Sequence, residues 1–175
     1  MIKFGTGGWR AVIADEFTKE NIRLLMAGLC RLMEKEGLAG AEVCVGYDRR
    51  FLSKESAHWA AEVMAGYGFR PYVINRSSPT PLMMFMVKKR SMPYGIAVTA
   101  SHNPAIYNGI KVFNEKGYKL PDAIEEQVEE KILTDIYPAA TRGEIGVLRH
   151  GLRQSREAYI DHLAGTIESD LSGLR

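Results

Sequence analysis

The sequence predicts an α/β fold, a three-layer α/β/α sandwich with a mixed, mostly parallel sheet. Short apolar runs typical of strands alternate with longer segments whose apolar residues recur at helical spacing, and this alternation places helices on both faces of a sheet. The chain has 175 residues, of which 46% are hydrophobic and 25% charged, ordinary values for a globular protein. This length allows a core to form without disulfides or metals.

The first half of the chain gives clear boundary signals. Thr18 can cap a helix over residues 19–36, and Gly37 ends the helical pattern. A buried-strand pattern follows at residues 43–47. Ser53 can then cap a second helix with an apolar inner face.

The second half continues the alternation with three strands and two helices. The strands are predicted at residues 72–75, 96–99 and 110–113. Thr80 can cap a helix that runs to about Lys89 and has a proline in its first turn. Pro121 and Asp122 open the next helix.

The C-terminal part of the chain breaks this pattern. Residues 138–146 are rich in small and turn-forming residues and indicate a connection, whereas residues 154–167 predict an amphipathic helix. The predicted inward positions of that helix are Tyr159, Ile160, Leu163 and Ile167. The helix is either docked on the core or the first element of a second domain.

Composition excludes several function classes. A net charge of +2 gives no reason to expect nucleic acid or an acidic membrane as partner, so any anion binding must come from local placement of charge. No apolar run is long enough to span a bilayer, and the N-terminus lacks the apolar stretch of a signal peptide. Cys30 and Cys44 are expected to be buried free thiols, which predicts a cytoplasmic protein.

The strongest functional signal is the run Thr-Ala-Ser-His-Asn-Pro at residues 99–104, which follows a predicted strand. Ser101 can present its hydroxyl to a ligand there, but a serine needs a base or a charged environment to act as a nucleophile. His102 is a candidate base, and the ammonium of Lys111 could neutralise an anion on Ser101. The alternatives are a serine that only shapes a turn and a lysine on a solvated strand face.

Two other segments carry groups that suit a phosphate. The glycine-rich run 5–9 precedes Arg10, and glycines let a backbone approach a phosphate whose geometry a guanidinium matches. The alternative is a flexible N-terminal arm. Asp48 and Arg50 follow the predicted strand 43–47, so their loop can share a sheet edge with the serine loop, unless they form an ordinary surface ion pair.

These motifs together resemble the α-D-phosphohexomutases, the family of phosphoglucomutases, phosphomannomutases and phosphoglucosamine mutases. The run from residue 99 through Lys111 is similar to their active-site serine loop, residues 4–10 to their N-terminal glycine loop, and residues 46–50 to their Gly-Tyr-Asp-x-Arg segment. Residues 156–160 resemble the start of their second domain. Ala11 departs from the family, which usually has glycine there.

The resemblance implies a reaction and a set of site residues. The serine carries phosphate and exchanges it with a hexose monophosphate through a hexose 1,6-bisphosphate, which is also the implied activator. The implied catalytic residues are Ser101, His102, Lys111 and Arg10. The implied substrate- and phosphate-binding residues are Thr6, Gly7, Arg50, Asn103 and Asn108.

The resemblance also implies a metal and further domains. Mg²⁺ would be bound by the phosphate on Ser101 and by an aspartate-rich loop of the second domain, since this chain has no Asp-x-Asp pattern. We expect residues 1–137 to form the first mutase domain, 138–153 a linker and 154–175 the first helix of a truncated second domain. The expected partners are a hexose phosphate, the remaining domains of the full-length chain and, for the fragment, a second copy. The fragment alone is expected to be inactive.

Two other function classes stay open. A small serine hydrolase would need an acid that orients His102 and an oxyanion pocket, and the chain has no Gly-x-Ser-x-Gly motif. A non-catalytic sugar-phosphate binding module would never carry phosphate on Ser101. These residues do not distinguish glucose, mannose and glucosamine phosphates.

Overall fold

A computed structural model describes residues 2–5, 7–132, 137–140 and 152–166. Five strands and five helices are present in these residues, and none of the helices is long and apolar enough to cross a membrane. In chain order the elements are β1 (Trp9–Val12), α1 (Lys19–Lys35), β2 (Glu42–Tyr47), α2 (Ser53–Gly66), β3 (Arg70–Val73), α3 (Thr80–Lys89), β4 (Tyr94–Val98), β5 (Tyr107–Asn114), α4 (Asp122–Glu130) and α5 (Leu152–Thr166).

The strands form one sheet in the order β1-β5-β4-β2-β3. β2 pairs in parallel with β3 and β4, whereas β5 pairs antiparallel with β4 and β1. Of these five strands, β5 therefore runs against the other four. The prediction of an α/β fold with a mixed, mostly parallel sheet is confirmed.

Alternate residues of the strands supply two separate apolar cores. On β2, Val43 and Val45 belong to the core that α1, α2 and α4 cover, whereas Cys44 belongs to the core that α3 covers. This division follows from the period of two along a strand, and it produces the helix–sheet–helix layers. Cys30 and Cys44 are both buried and free, as predicted.

Both ends of α1 agree with the boundaries predicted from the sequence. Thr18 Oγ1 accepts a hydrogen bond from the Asn21 N–H at 3.2 Å, which satisfies one of the donors left free at a helix start. After the helix, Gly37 has φ 75, a left-handed conformation that glycine adopts without a steric penalty. The predicted cap and the predicted stop are confirmed.

Two other helix starts differ from the prediction by one residue. Ser53 is the first residue of α2, and the capping position is Leu52, which has φ 61 and no side-chain cap bond. Thr80 is the first residue of α3, and Pro79 occupies the capping position. The predicted cap at Ser53 is wrong because its hydroxyl donates to Asp48 Oδ1 at 2.8 Å instead of serving the helix start.

β1 is a strand that the sequence did not reveal. It is only four residues long, with Trp9 and Ala11 buried and Arg10 and Val12 half-buried. An alternation of four residues next to a glycine-rich run is too short to predict a strand. It lies at the edge of the sheet and pairs with β5. Arg10 therefore belongs to the sheet and not to a flexible arm.

α5 packs on α3 through a narrow stripe. The ring of Phe85 on α3 lies 5.4 Å from that of Tyr159 and 4.9 Å from that of His162, which are three residues apart on one helix face. Ile160 and Leu163 are 51% and 43% exposed, so the prediction that they face inward is wrong. Tyr159 and His162 make the ring contacts with α3, and the side chains of Ile160 and Leu163 therefore face solvent.

Several predictions fall outside the residues that the structure describes. Ile167, and most of the linker predicted at residues 138–153, belong to this group. The domain boundaries drawn from the sequence stay predictions.

Gly95→Ala is predicted to destabilise the contact between β4 and α3. A Cβ on Gly95 would overlap Cγ2 of Val87, a stiff β-branched side chain. Overpacking of this kind costs about 1–3 kcal/mol. Gly165→Ala is the matched control, because a Cβ there meets no described atom within 4 Å and alanine favours a helix. Urea unfolding measures both variants, and a Gly95→Ala variant as stable as the parent chain would contradict this packing.

Candidate active site

β1, β5 and the end of β4 meet where the serine loop leaves the sheet. The Thr99 N–H donates to the Gly109 carbonyl at 2.9 Å, and Gly109 lies opposite Arg10 in the β1–β5 pairing. A Cβ on Gly109 would overlap the Trp9 carbonyl and lie 3.0 Å from that of Thr99. Because glycine has no side chain, β1 and the base of the serine loop can both approach the backbone of Gly109 closely. Arg10 thus lies on one side of Gly109 and Thr99 on the other.

Ser101 lies in the left-handed region of backbone conformation, with φ 58, and it is exposed. A residue other than glycine is strained there by about 1–3 kcal/mol, which its surroundings must offset. The Ser101 N–H donates to Thr99 Oγ1 at 2.9 Å, and the Asn103 N–H donates to the Ala100 carbonyl at 3.1 Å. These bonds form a tight turn with Ser101 at its exposed corner.

The guanidinium of Arg50 binds the backbone of this loop. Its Nη1 donates to the carbonyls of Pro104 and Tyr107, both at 2.9 Å. Its Nη2 donates to those of Ser101 at 2.9 Å and Asn103 at 2.5 Å. All four Nη hydrogens therefore bind loop carbonyls. None of them is left for the phosphate-binding role that the family resemblance implies for Arg50.

Asp48 forms an ion pair with Arg50 and binds its backbone. Asp48 Oδ1 accepts hydrogen bonds from the Arg50 N–H and the Ser53 hydroxyl, both at 2.8 Å. Asp48 Oδ2 lies 3.7 Å from Arg50 Nε. The carboxylate therefore fixes the turn between β2 and α2 and balances the charge of Arg50.

Arg10 binds the serine loop, and a second cation, Lys111, lies within reach of its charge. Arg10 Nη1 donates to Asn103 Oδ1 at 2.9 Å, and the Lys111 side chain passes so close to Gly8 that an added Cβ would lie 3.0 Å from Lys111 Cγ. Burial lowers the pKa of Lys111, and the positive charge of Arg10 lowers this pKa further. Within the described part of the chain neither cation has a carboxylate partner. Two like charges held together in this way are a favourable place for an anion.

Asn108 was predicted to bind phosphate, but the structure buries it completely. Its amide donates to the Phe51 carbonyl at 3.0 Å and to Ser53 Oγ at 2.9 Å, which leaves no donor for a phosphate. Its Oδ1 accepts from the Gly109 N–H at 2.8 Å. Asn108 therefore links β5 to the start of α2.

The remaining predicted site residues are less constrained. Gly7 lies beside Arg10, since a Cβ added there would be 3.2 Å from an Arg10 Nη. His102 is exposed, and no hydrogen bond joins it to Ser101 in the part of the chain that is described. Thr6 lies outside that part. The roles of these three residues stay predictions.

Sequence reasoning missed Thr99 and Ser53 as partners in the site. A threonine two residues before a serine in a turn is a local signal for a side-chain-to-backbone bond, so Thr99 could have been found. The contact between Ser53 and Asn108 joins residues 55 apart, and no local pattern indicates it.

A comparison with protein families assigns the chain. The model described as phosphoglucomutase/phosphomannomutase, alpha/beta/alpha domain I, matches residues 1–138. The chain belongs to the phosphoglucomutase/phosphomannomutase family. This result confirms the resemblance that rested on the serine loop and the glycine loop.

The curated relatives that match this chain are considerably longer than the chain itself. It is 36% identical over 176 residues to a phosphoglucosamine mutase of Alkaliphilus metalliredigens, an alignment that covers 98% of this chain and 38% of the relative. It is 30% identical over 182 residues to a phosphoglucomutase of Staphylococcus saprophyticus, with 97% and 33% covered. The chain thus spans less than two fifths of the length of these relatives.

Solved structures share the fold. A protein named as a putative phosphomannomutase from Thermus thermophilus superposes with a TM-score of 0.82 at 31% identity, covering 95% of this chain and 36% of that one. A phosphoglucomutase/phosphomannomutase family protein from Burkholderia thailandensis has a TM-score of 0.72 at 20% identity, covering 91% of this chain and 34% of that one. The second likeness concerns the fold alone.

Arg10→Met is predicted to raise the pKa of Lys111. The substitution removes the charge of Arg10 but leaves burial, the larger cause, so the pKa should rise without reaching the ordinary lysine value. An NMR titration of the Lys111 side chain measures the change. Arg49→Met is the control, because Arg49 is exposed and is not among the causes that shift this pKa. An unchanged Lys111 pKa in Arg10→Met would contradict the contact between the two cations.

Proposed function

We propose that this chain carries the phosphoserine of an enzyme that interconverts hexose 1-phosphates and hexose 6-phosphates. The observation that supports this most directly is the exposed Ser101 in a strained turn, since Arg10 donates to Asn103 of the same turn and the charge of Arg10 reaches Lys111. An exposed hydroxyl in a turn that a cation binds suits a group that accepts and gives up a phosphoryl group. Membership of the mutase family agrees with this class of reaction.

In the proposed reaction, the phosphate on Ser101 moves to a free hydroxyl of a hexose monophosphate. The bond between phosphorus and Ser101 Oγ breaks, a bond between phosphorus and the sugar oxygen forms, the sugar hydroxyl gives up a proton, and Ser101 Oγ takes one. The resulting hexose 1,6-bisphosphate reorients and returns its other phosphate by the reverse steps. The same bisphosphate would load a bare Ser101 and is the proposed activator.

Arg10 and Lys111 are proposed to stabilise the charge on the transferring phosphoryl group. Catalysis of this transfer comes mainly from positioning and from such charge stabilisation. Since burial and the charge of Arg10 lower the pKa of Lys111, its ammonium is a better acid than an ordinary lysine, and we assign to it the proton that Ser101 Oγ takes. His102, which is exposed next to Ser101, would exchange that proton with solvent.

Mg²⁺ is proposed as the cofactor, with the phosphate on Ser101 as one ligand. The residues described by the structure contain no group of three or more carboxylate, histidine or cysteine side chains that could hold a metal ion, and the carboxylate near the serine loop, Asp48, is paired with Arg50. These residues do not fit a complete site, because Mg²⁺ requires several oxygen ligands. We therefore propose that the remaining ligands lie elsewhere in the protein.

The complete reaction is proposed to need more than this chain, which spans 38% of the phosphoglucosamine mutase relative. Alone, the chain would accept phosphate but sustain no turnover. Its proposed partners are a hexose phosphate and the remaining domains of the protein, which the exposed Ile160 and Leu163 would meet, or a second copy of the chain. The free thiols of Cys30 and Cys44 suit a location in the reducing cytoplasm.

Ser101 is predicted to be the residue that carries phosphate. The chain incubated with a hexose 1,6-bisphosphate should gain one phosphate, which peptide mass spectrometry locates. Ser91 is a matched control, because it is also exposed and left-handed, with φ 50, but precedes β4 where Ser101 follows it. Ser101→Ala should abolish the uptake and Ser91→Ala should not. Phosphate on other residues with Ser101 bare, or acylation of Ser101 by serine-directed probes without phosphate uptake, would refute the proposal.

Lys111→Met and Arg10→Ala are each predicted to slow phosphoryl transfer. The loss of one preorganised donor costs about 2–4 kcal/mol of transition-state stabilisation. Rapid-quench measurement of Ser101 phosphorylation by a hexose 1,6-bisphosphate gives the rates, and thermal unfolding checks that stability changes little. Lys116→Met is the control, since Lys116 is an exposed lysine in the turn after β5. Parental rates in both variants would show that neither cation has the proposed role.

A further inference from the structure

Arg50 spans the whole serine loop with one side chain. The four carbonyls that its Nη atoms bind belong to Ser101, Asn103, Pro104 and Tyr107, which cover the loop from its exposed corner to the first residue of β5. A planar guanidinium with a fixed fork of donors restricts the orientation of all four carbonyls at once. No other described side chain makes more than one hydrogen bond to this loop.

The conformation that Arg50 restrains is an unfavourable one. Ser101 has φ 58, and an isolated serine would leave this conformation readily because its Cβ crowds the following carbonyl. The left-handed conformation of Ser101 sets the direction of its carbonyl, and the hydrogen bond from Arg50 Nη2 holds that carbonyl in place. Release of this bond would allow Ser101 to relax to an ordinary backbone conformation, and its hydroxyl would move with the backbone.

The anchor of Arg50 is itself tied to the sheet. Asp48 orients Arg50 and accepts the hydroxyl of Ser53, and Ser53 Oγ accepts the amide of Asn108 on β5. The serine loop leads into the same strand. The contacts thus form a closed ring from β5 through Asn108, Ser53, Asp48 and Arg50 to the loop and back to β5.

We propose that Arg50 is a positioning residue, which holds Ser101 in the conformation that exchanges phosphate and touches neither the phosphate nor the sugar. The inference rests on the proposed function of Ser101. Its basis is that all four Nη hydrogens bind loop carbonyls and that Asp48 balances the charge. The cations that face phosphate are then Arg10 and Lys111.

The test compares Arg50→Ala and Arg50→Lys with Arg49→Ala and Arg49→Lys in the full chain. Arg49 is the adjacent arginine and is exposed, so its variants control for the loss of a nearby charge. Arg50→Lys keeps a cation near Asp48 but lacks the planar fork, and it serves if Arg50→Ala does not fold. Two quantities are measured: hydrogen exchange of the Ser101, Asn103 and Tyr107 amides, and Ser101 phosphorylation against the concentration of a hexose 1,6-bisphosphate.

Both Arg50 variants are expected to speed exchange of the loop amides by about tenfold or more, because these amides lose their fixed frame. The maximal rate of phosphorylation should fall by on the order of 10–100-fold, as expected for a misplaced reacting group, with the half-saturating concentration nearly unchanged. Guanidinium ion at millimolar concentration should restore part of the rate to Arg50→Ala. The Arg49 variants should match the parent chain in all of these measurements.

Two results would overturn the inference. One is unchanged exchange of the loop amides in the Arg50 variants, which would show that Arg50 does not hold the loop. The other is a raised half-saturating concentration at an unchanged maximal rate, which would make Arg50 a phosphate ligand. If the parent chain takes up no phosphate, the proposed function of Ser101 fails, and the exchange measurement still decides whether Arg50 holds the loop.

Discussion

The site depends on the close approach of three backbone segments at Gly109. β5 lies between β4 and β1, so the glycine receives the base of the serine loop on one side and Arg10 on the other. A side chain there would separate them, because its Cβ would overlap the Trp9 carbonyl. Lys111 is two residues beyond Gly109 on β5, so its side chain lies on the same face of the sheet as that of Arg10. The pairing of β5 thus brings Arg10 to the base of the serine loop and places Lys111 on the same face as Arg10.

The charges around the loop are divided between two tasks. Arg50 is balanced by Asp48 and binds carbonyl oxygens, so its role is to fix backbone. Arg10 and Lys111 have no described carboxylate partner, and the pKa of Lys111 is lowered by burial and by Arg10. With a net charge of only +2, the chain has no strong overall field to attract an anion. We propose that this uncompensated pair supplies the local positive charge that attracts a phosphate.

Much of the fold could be predicted from the sequence, because helices and buried strands produce patterns among neighbouring residues. Thr18 and Gly37 mark α1 through capping chemistry that involves only neighbouring residues. β1 could not be predicted, since a four-residue edge strand is defined by its partner β5. The family resemblance implied that Asn108 binds phosphate, but β5 begins at Tyr107 and buries the Asn108 amide against Ser53, a contact that no local pattern indicates. The site residues form a recognisable motif in the sequence, whereas the contacts that separate Arg50, which binds loop carbonyls, from Arg10 and Lys111 are tertiary.

We propose that Arg10 and Lys111 lie beside a phosphate carried by Ser101, and a ³¹P NMR titration of the phosphorylated chain measures whether they do. The second ionisation of a phosphoserine ordinarily has a pKa of about 6. Two adjacent cations favour the dianion, so the pKa of phosphorylated Ser101 should lie clearly below this value and rise toward it in Lys111→Met and in Arg10→Ala. A pKa of about 6 in the parent chain, unchanged in both variants, would contradict the account.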